Sequence, residues 1–182
     1  MTRTRWLLGA LIGVGLILVA CVGQFPVYRD KTVPMAAFAA LDLGKYSGRW
    51  HEIARFPVPF QSKCAGATAD YAPAAPGTIS VVNRCLGPDG SEIDRIEGSA
   101  RVTGPGQLKV RLGRMPFSAD YWVLWVDEGY QTAVVGMPGG RAGWILNRGP
   151  DIPAGRLEAA RQVFAHNGYD LTKLKRVASF DD

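Results

Sequence analysis

The sequence predicts an all-β fold, an eight-stranded antiparallel up-and-down barrel with a C-terminal α-helix packed outside. Between residues 48 and 148, short runs of alternating apolar and polar residues are separated by glycine- and proline-rich turns, as in an antiparallel meander. The clearest helical pattern follows the last of these runs. Gly48 and Trp50 open the first run and Arg148 ends the last. An arginine stacked on the indole, worth about 0.5 to 2 kcal/mol, would hold the first and last strands together.

Residues 1–20 are typical of a bacterial lipoprotein signal peptide. Two arginines precede an apolar run that ends in Leu-Val-Ala-Cys, the pattern at which a cysteine is acylated before cleavage. We therefore expect a lipidated Cys21, a tether over residues 21–37 and a domain over residues 38–182. The alternative is a membrane-spanning anchor, but the apolar run is shorter than the ~20 residues that a span needs. In a Gram-negative cell, Val22 after the cysteine predicts attachment to the outer membrane, with the domain facing the periplasm.

Composition argues against several other classes of protein. The formal net charge is +5, but the basic residues form no runs, so nucleic-acid binding has little support. No G-x-S-x-G, H-E-x-x-H or paired-cysteine metal motif occurs. Alternation places His51 on the outer face of its strand, and His166 lies near the end of the predicted helix. We expect no catalytic residue, metal or cofactor; a hydrolase or isomerase on the same fold is the alternative.

The first strand, residues 48–56, follows a predicted helical turn over residues 36–43. Pro57 and Pro59 remove backbone donors and cannot continue a paired strand, so a long loop at the barrel mouth should follow. The apolar side chains of this loop either form a rim around the mouth or pack on neighbouring loops.

Residues 66–72 and 78–85 form a predicted hairpin around a turn with two prolines and a glycine. If Tyr71 faces Thr78, the same register places Cys64 opposite Cys85. An exported protein oxidises such a pair, and the disulfide would contribute roughly 3 kcal/mol in the loop-entropy model. Two free thiols or a metal pair are the alternatives. Because this register mixes apolar and polar residues on one face, the inward faces of this hairpin are left unassigned.

The remaining five strands are predicted at residues 91–103, 107–112, 120–127, 132–137 and 141–148. Both faces of the 120–127 strand are apolar, which is expected if one face lines a cavity and the other is covered. The covered face would carry Trp122, Leu124 and Val126, packed under the helix or against a second subunit of a homodimer.

The predicted helix begins near Pro153, in the first turn where proline is tolerated, and ends at Gly168. Leu157, Ala160 and Phe164 recur at helical spacing and should pack on the outside of the barrel. Residues 174–178 are predicted to add a short ninth strand beside the first.

Three blocks of this sequence resemble the conserved regions of the lipocalin family. They are Gly48-x-Trp50, the corner Asp127-Glu128-Gly129-Tyr130 and the terminal Arg148. More narrowly, the runs W-H-E-I-A-R-F, D-Y-W-V-L and W-I-L-N-R are similar to the branch of bacterial outer-membrane lipoproteins, plant temperature-induced lipocalins and apolipoprotein D. His51 departs from the tyrosine usual in this branch, and the corner departs from Thr-Asp-Tyr. The resemblance implies a barrel that binds a small hydrophobic ligand.

An eight-stranded barrel encloses either packed side chains or one small ligand. Above Trp50, the predicted lining is apolar and consists of Ala54, Leu108, Val110, Leu112, Tyr121, Val123, Trp125, Trp144 and Leu146. Such a wall suits the acyl chain of a fatty acid, such as palmitate, or of a lysophospholipid, with Tyr121 or Arg114 near the head group. The alternative to a head-group role for Arg55, Arg101 and Arg114 is that each is a solvated surface charge. A filled, ligand-free core of a structural lipoprotein is the alternative.

Overall fold

A computed structural model describes residues 26–180. The nine strands are β1 (Gly48–Arg55), β2 (Gly66–Ala75), β3 (Thr78–Leu86), β4 (Glu92–Gly104), β5 (Gln107–Leu112), β6 (Ala119–Val126), β7 (Thr132–Gly136), β8 (Gly143–Asn147) and β9 (Lys175–Arg176). The α-helices are α1 (Leu43–Tyr46) and α2 (Ala154–His166), and Pro59–Gln61 and Leu171–Lys173 form short 3-10 helices.

Strands β1 to β8 form one closed antiparallel sheet. Each strand pairs with its neighbours in sequence, and β1 pairs with both β2 and β8, so the sheet closes into a barrel. β9 adds to β1 at Ala54 and Arg55. The predicted fold, including the ninth strand, is confirmed.

The barrel has a base and a mouth. We define the base as the end that holds the start of β1, α1 and the β6–β7 loop (residues 127–131). The mouth is the opposite end, formed by the loops at residues 56–65, 87–91, 113–118 and 137–142. Helix α2 starts near the base, where Arg156 lies 3.6 Å from Asp127, and reaches Phe56 at the mouth end of β1 through Phe164.

Apolar side chains pack in two clusters, one on each side of the sheet. The inner cluster fills the barrel around Trp50, and the outer cluster lies between the sheet and α2 around Phe164. Close contact with the helix requires a glycine, because a Cβ at Gly143 would lie 2.9 Å from the Phe164 ring. The outer cluster includes Leu124 and, at its edge, Trp122. The helix therefore covers this face of β6, which then needs no second subunit to bury it.

The segment before the barrel was predicted to be a tether up to residue 37, but its described part is bound to the barrel. The backbone N–H of Tyr28 donates to Gly140 at the mouth, and that of Phe38 donates to Val123. Arg29 is only 8% exposed because its guanidinium donates to three backbone carbonyls. The described chain is therefore hydrogen-bonded to the barrel already at Tyr28 and Arg29, within the range predicted as a tether.

The helical turn before the barrel also lies later than predicted. It occupies Leu43–Tyr46, where the Asp42 side chain caps it by accepting from the backbone of Gly44 and Lys45. The predicted turn over residues 36–43 is wrong, since sequence alone did not distinguish this cap from the preceding apolar residues.

The disulfide between Cys64 and Cys85 is confirmed, although the register used to predict it is wrong. Tyr71 pairs with Val81, and Cys85 pairs with Ala67. Both strands extend further than expected, leaving a tight turn and a bulge after Pro73. The cysteines still meet, with Cα atoms 5.1 Å apart, because the chain at residues 64–65 continues alongside the end of β3.

Candidate ligand-binding site

The interior of the barrel is packed at the base and remains partly accessible elsewhere. Trp50 is 0% exposed and is surrounded by fully buried inner residues. By contrast, Val110, Leu112 and Trp144 belong to the same inner cluster but are only half-buried. A side chain on the inner face of a closed barrel can be exposed only to the barrel's own interior space or to its mouth. These three residues therefore mark an accessible apolar wall.

Seven of the nine predicted lining residues lie in the inner cluster. They are Leu108, Val110, Leu112, Tyr121, Val123, Trp144 and Leu146. Register explains the grouping, since β5 pairs with β6 through Leu108 and Tyr121, and β8 pairs with β1 and β7 through Trp144 and Leu146. Arg114 is exposed on the β5–β6 loop, and Arg101 is exposed on β4.

The prediction that Ala54 and Trp125 line the interior is wrong, because both belong to the outer cluster. A β-bulge between Glu52 and Ala54 and another between Val123 and Trp125 interrupt the alternation of faces. At each bulge two successive residues join the outer cluster. Strict alternation assigned both residues to the wrong face.

The bulges place two other side chains on the inner face. Val126 is buried in the inner cluster and pairs with Ala133. Arg55 pairs with Trp144, so its side chain lies on the mouth side of the interior instead of on the surface. The prediction of Arg55 as a solvated surface charge is wrong, because its side chain is only 11% exposed.

Arg55 belongs to a polar cluster that the sequence analysis missed. Its guanidinium lies 2.6 Å from Glu52, and Gln61 donates to the other Glu52 oxygen at 2.7 Å. The Trp144 indole N–H donates to the Gln61 side-chain oxygen at 3.0 Å. Arg55 also donates to the Cys64 carbonyl, which fastens the mouth loop to β1. A buried charge requires such partners to offset its desolvation.

Burial shifts the pKa of Glu52. Desolvation raises the pKa of its carboxyl, and the Arg55 guanidinium and the hydrogen bonds from Arg55 and Gln61 oppose that rise. The position of Glu52 was readable from the sequence, since it shares the face of Trp50 under simple alternation. The position of Arg55 was not, since it depends on the bulge.

Three tyrosine hydroxyls meet inside the barrel. Tyr121 lies 2.8 Å from the hydroxyl of Tyr46 and 2.9 Å from that of Tyr71. Burial raises the pKa of all three and brings that of Tyr71 to about 12, so they are neutral near neutral pH. The predicted head-group role of Tyr121 must therefore compete with two existing hydrogen bonds.

Arg148 covers Trp50 at the base. Its guanidinium carbon lies 3.8 Å from the centre of the indole ring. Gly48 has a φ of +100°, and a Cβ there would lie 3.1 Å from an Arg148 nitrogen, so this position suits glycine. Desolvation lowers the pKa of Arg148. The three residues of the predicted motif are thus brought together in one contact.

The described residues show little that suggests other chemistry. Within residues 26–180, no group of three or more histidine, cysteine or acidic side chains is placed to hold a metal ion. His51 is buried, and the exposed His166 contacts the Gln162 carbonyl one turn earlier in α2. No helix in this range is both long and apolar enough to cross a membrane. Cys21 lies outside the described residues.

A closed eight-stranded antiparallel barrel with an apolar, partly accessible interior and an arginine-covered tryptophan at its base defines the class of protein. The chain belongs to the lipocalin family, since the family model described as a lipocalin-like domain matches residues 41–179.

Curated relatives from three kingdoms cover most of the chain. It is 34% identical to temperature-induced lipocalin-1 of Arabidopsis thaliana, over 81% of this chain and 84% of the relative. It is 34% identical to apolipoprotein D of Oryctolagus cuniculus, over 88% and 87% of the two chains. It is 32% identical to the outer membrane lipoprotein Blc of Vibrio cholerae, over 90% and 94%.

Solved structures agree on the fold. Lobster apocrustacyanin A1 superposes with a TM-score of 0.70 at 16% identity, over 88% of this chain and 94% of that one. Insecticyanin from the tobacco hornworm superposes with a TM-score of 0.63 at 20% identity, over 87% and 89%. At these identities the likeness concerns the fold alone. The family generally contains binding and transport proteins rather than enzymes.

Proposed function

We propose that this protein binds the acyl chain of a fatty acid, such as palmitate, or of a lysophospholipid inside its barrel, and stores or carries it without covalent chemistry. The observation that carries this proposal is the accessible inner wall of Val110, Leu112 and Trp144. Burying apolar side chains and an alkyl chain against each other is favourable by about 0.8 kcal/mol per buried methylene. The names of the bacterial relatives support a place in the cell envelope.

The polar cluster of Glu52, Arg55 and Gln61 places a largely buried ion pair beside Trp144. A bound acyl chain would reach this cluster with its polar end if its tail pointed toward the base. The cluster contains one basic and one acidic side chain, so a carboxylate and a zwitterionic phosphate head are both compatible with it.

Ligand titration tests the proposal directly. Residues 26–180 contain the closed sheet, the disulfide and both apolar clusters, so a chain that begins at Val22 contains all of these features. Delipidated protein of this length, titrated with palmitate and lysophospholipids, should show saturable tryptophan fluorescence changes with a Kd in the micromolar range or tighter, about −8 kcal/mol.

Two tryptophans make a matched pair for this titration. Trp144 lies in the inner cluster and Trp125 in the outer cluster. Trp144→Phe should remove most of the ligand-dependent signal, whereas Trp125→Phe should keep it. Equal responses from the two variants, or no saturable binding of any lipid by the parent protein, would refute an acyl site in the barrel.

We also propose that Cys21 is acylated and anchors the protein in the outer membrane, with the barrel in the periplasm. The lipobox before Cys21 and the lipoprotein relatives support this location. Mass spectrometry of membrane-extracted protein should find a diacylated N-terminal cysteine. An unmodified chain that starts at Met1 would contradict the anchor.

A further inference from the structure

The large exposed apolar side chains of the described chain lie at one end of the barrel. Within residues 26–180 there are five of them: Val27 at 48%, Phe60 at 70%, Ile93 at 51%, Met115 at 43% and Phe117 at 65% exposure. All five lie at the mouth: on the N-terminal segment that is hydrogen-bonded to Gly140, on the mouth loops, or at the start of β4. Scattered single exposures need no explanation, but confinement to one end marks an interaction surface.

The same end carries an excess of basic residues. The four mouth loops contain Lys63, Arg114 and Arg141, and β9 beside them adds Lys175 and Arg176, against Asp89 and, at the start of β4, Glu92 and Asp94. Basic side chains beside exposed phenylalanines are the pattern of a protein surface that lies in the interface of an anionic membrane.

The start of the described chain lies at the same end. Pro26 lines a surface groove of about 540 Å³ together with Pro57, Lys175 and Arg176, beside the mouth end of β1. Cys21 precedes Pro26 by five residues, which span at most about 18 Å when fully extended. An anchor at Cys21 would therefore hold the mouth, and not the base, against the bilayer.

We propose that the mouth is a membrane-docking surface, in which Phe60 and Phe117 insert into the interface of a bilayer that contains anionic phospholipid. The basic loop residues contact the lipid head groups, and the barrel opening faces the bilayer. Docking is a property of the folded domain and acts in addition to the lipid anchor. It does not require that the barrel bind a lipid.

Vesicle flotation of the chain that begins at Val22 separates docking from anchoring, because this chain lacks Cys21. We expect it to float with vesicles of phosphatidylethanolamine and phosphatidylglycerol, and to float less at high salt. Replacing both phenylalanines, Phe60→Ser and Phe117→Ser, should weaken vesicle binding by at least about tenfold, since each ring loses its apolar burial. Both rings are largely exposed, so circular dichroism should show an unchanged fold.

A matched pair of arginines tests the charge. Arg114→Gln at the mouth should weaken binding to the anionic vesicles, whereas Arg101→Gln, exposed on the side of the barrel, should not. Absence of flotation with every vesicle, or flotation unchanged by the phenylalanine substitutions, would overturn the proposal. A solution dimer that Phe117→Ser dissolves would assign the surface to a second copy instead. Palmitate titration of the same phenylalanine variants should match the parent, so that failure of docking and failure of ligand binding are told apart.

Discussion

Replacing Arg148 by lysine tests how the barrel is closed at its base. The side chain combines a planar contact over Trp50 at 3.8 Å with hydrogen bonds to the backbone of α1, β1 and the β6–β7 loop. Its four acceptors are the carbonyls of Tyr130 at 3.2 Å, Arg49 at 2.8 Å, Lys45 at 2.6 Å and Ser47 at 2.9 Å. Lysine keeps the charge, but it has no planar surface and no fork of donors.

The expected loss of stability in Arg148→Lys follows from the contacts of arginine that lysine cannot make. The stacking contributes about 0.5 to 2 kcal/mol. A single ammonium cannot reach all four carbonyls, and each lost bond from a charged donor is worth about 1.5 to 3 kcal/mol before water replaces part of it at this half-buried site. We expect Arg148→Lys to lower the free energy of unfolding by about 2 to 4 kcal/mol. Trp50→Ala, which empties the buried ring site, should lower it by about 3 to 5 kcal/mol.

Urea unfolding followed by circular dichroism measures both losses, with the slope of the transition used to check that the denatured state is unchanged. Arg101→Lys is the matched control, because Arg101 is exposed and should change stability by no more than about 0.5 kcal/mol. If Arg148→Lys behaves like Arg101→Lys, the arginine does not close the base and the argument from its geometry fails.

Three further predictions concern stability. Reducing the Cys64–Cys85 disulfide, with the reduction checked by thiol titration, should lower the free energy of unfolding in urea by roughly 3 kcal/mol. An unchanged urea midpoint would contradict this. Because burial raises the folded-state pKa of Glu52, its protonation stabilises the fold below the ordinary carboxyl pKa, and this contribution is lost as pH rises through the raised pKa. The unfolding free energy of wild type relative to Glu52→Gln should therefore fall with rising pH, and a rise would show that ion pairing outweighs desolvation. Gly98→Ala should destabilise by about 1 to 3 kcal/mol, because its Cβ would meet a backbone oxygen of β5, whereas Gly139→Ala, with open space around it, should not; equal effects would argue against this contact.

Part of the candidate site could be predicted from the sequence because alternation is a local property. In β5 and β8 the pattern runs unbroken, and Leu108, Val110, Leu112, Trp144 and Leu146 lie on the predicted face. Glu52 was equally accessible to this reasoning, since it shares the face of Trp50, yet a search for apolar lining passed over it. The tyrosine cluster could not be predicted from alternation. Tyr46, Tyr71 and Tyr121 come from three elements, and no local pattern records how these elements are positioned along the barrel axis.

Sequence alone was enough to predict the order and type of the strands and the long helix, the closing contact between Trp50 and Arg148, and the partners in the disulfide. Each follows from residues whose chemistry is distinctive wherever they stand: a glycine before a tryptophan, a terminal arginine, and two cysteines near the ends of one hairpin. The faces of Ala54, Arg55 and Trp125 became clear only from the folded sheet. A β-bulge adds one residue to one strand and inverts the facing of every residue after it. Its position depends on how the strand pairs with its neighbours in the folded sheet, and the alternation of residues within a single run does not record that pairing.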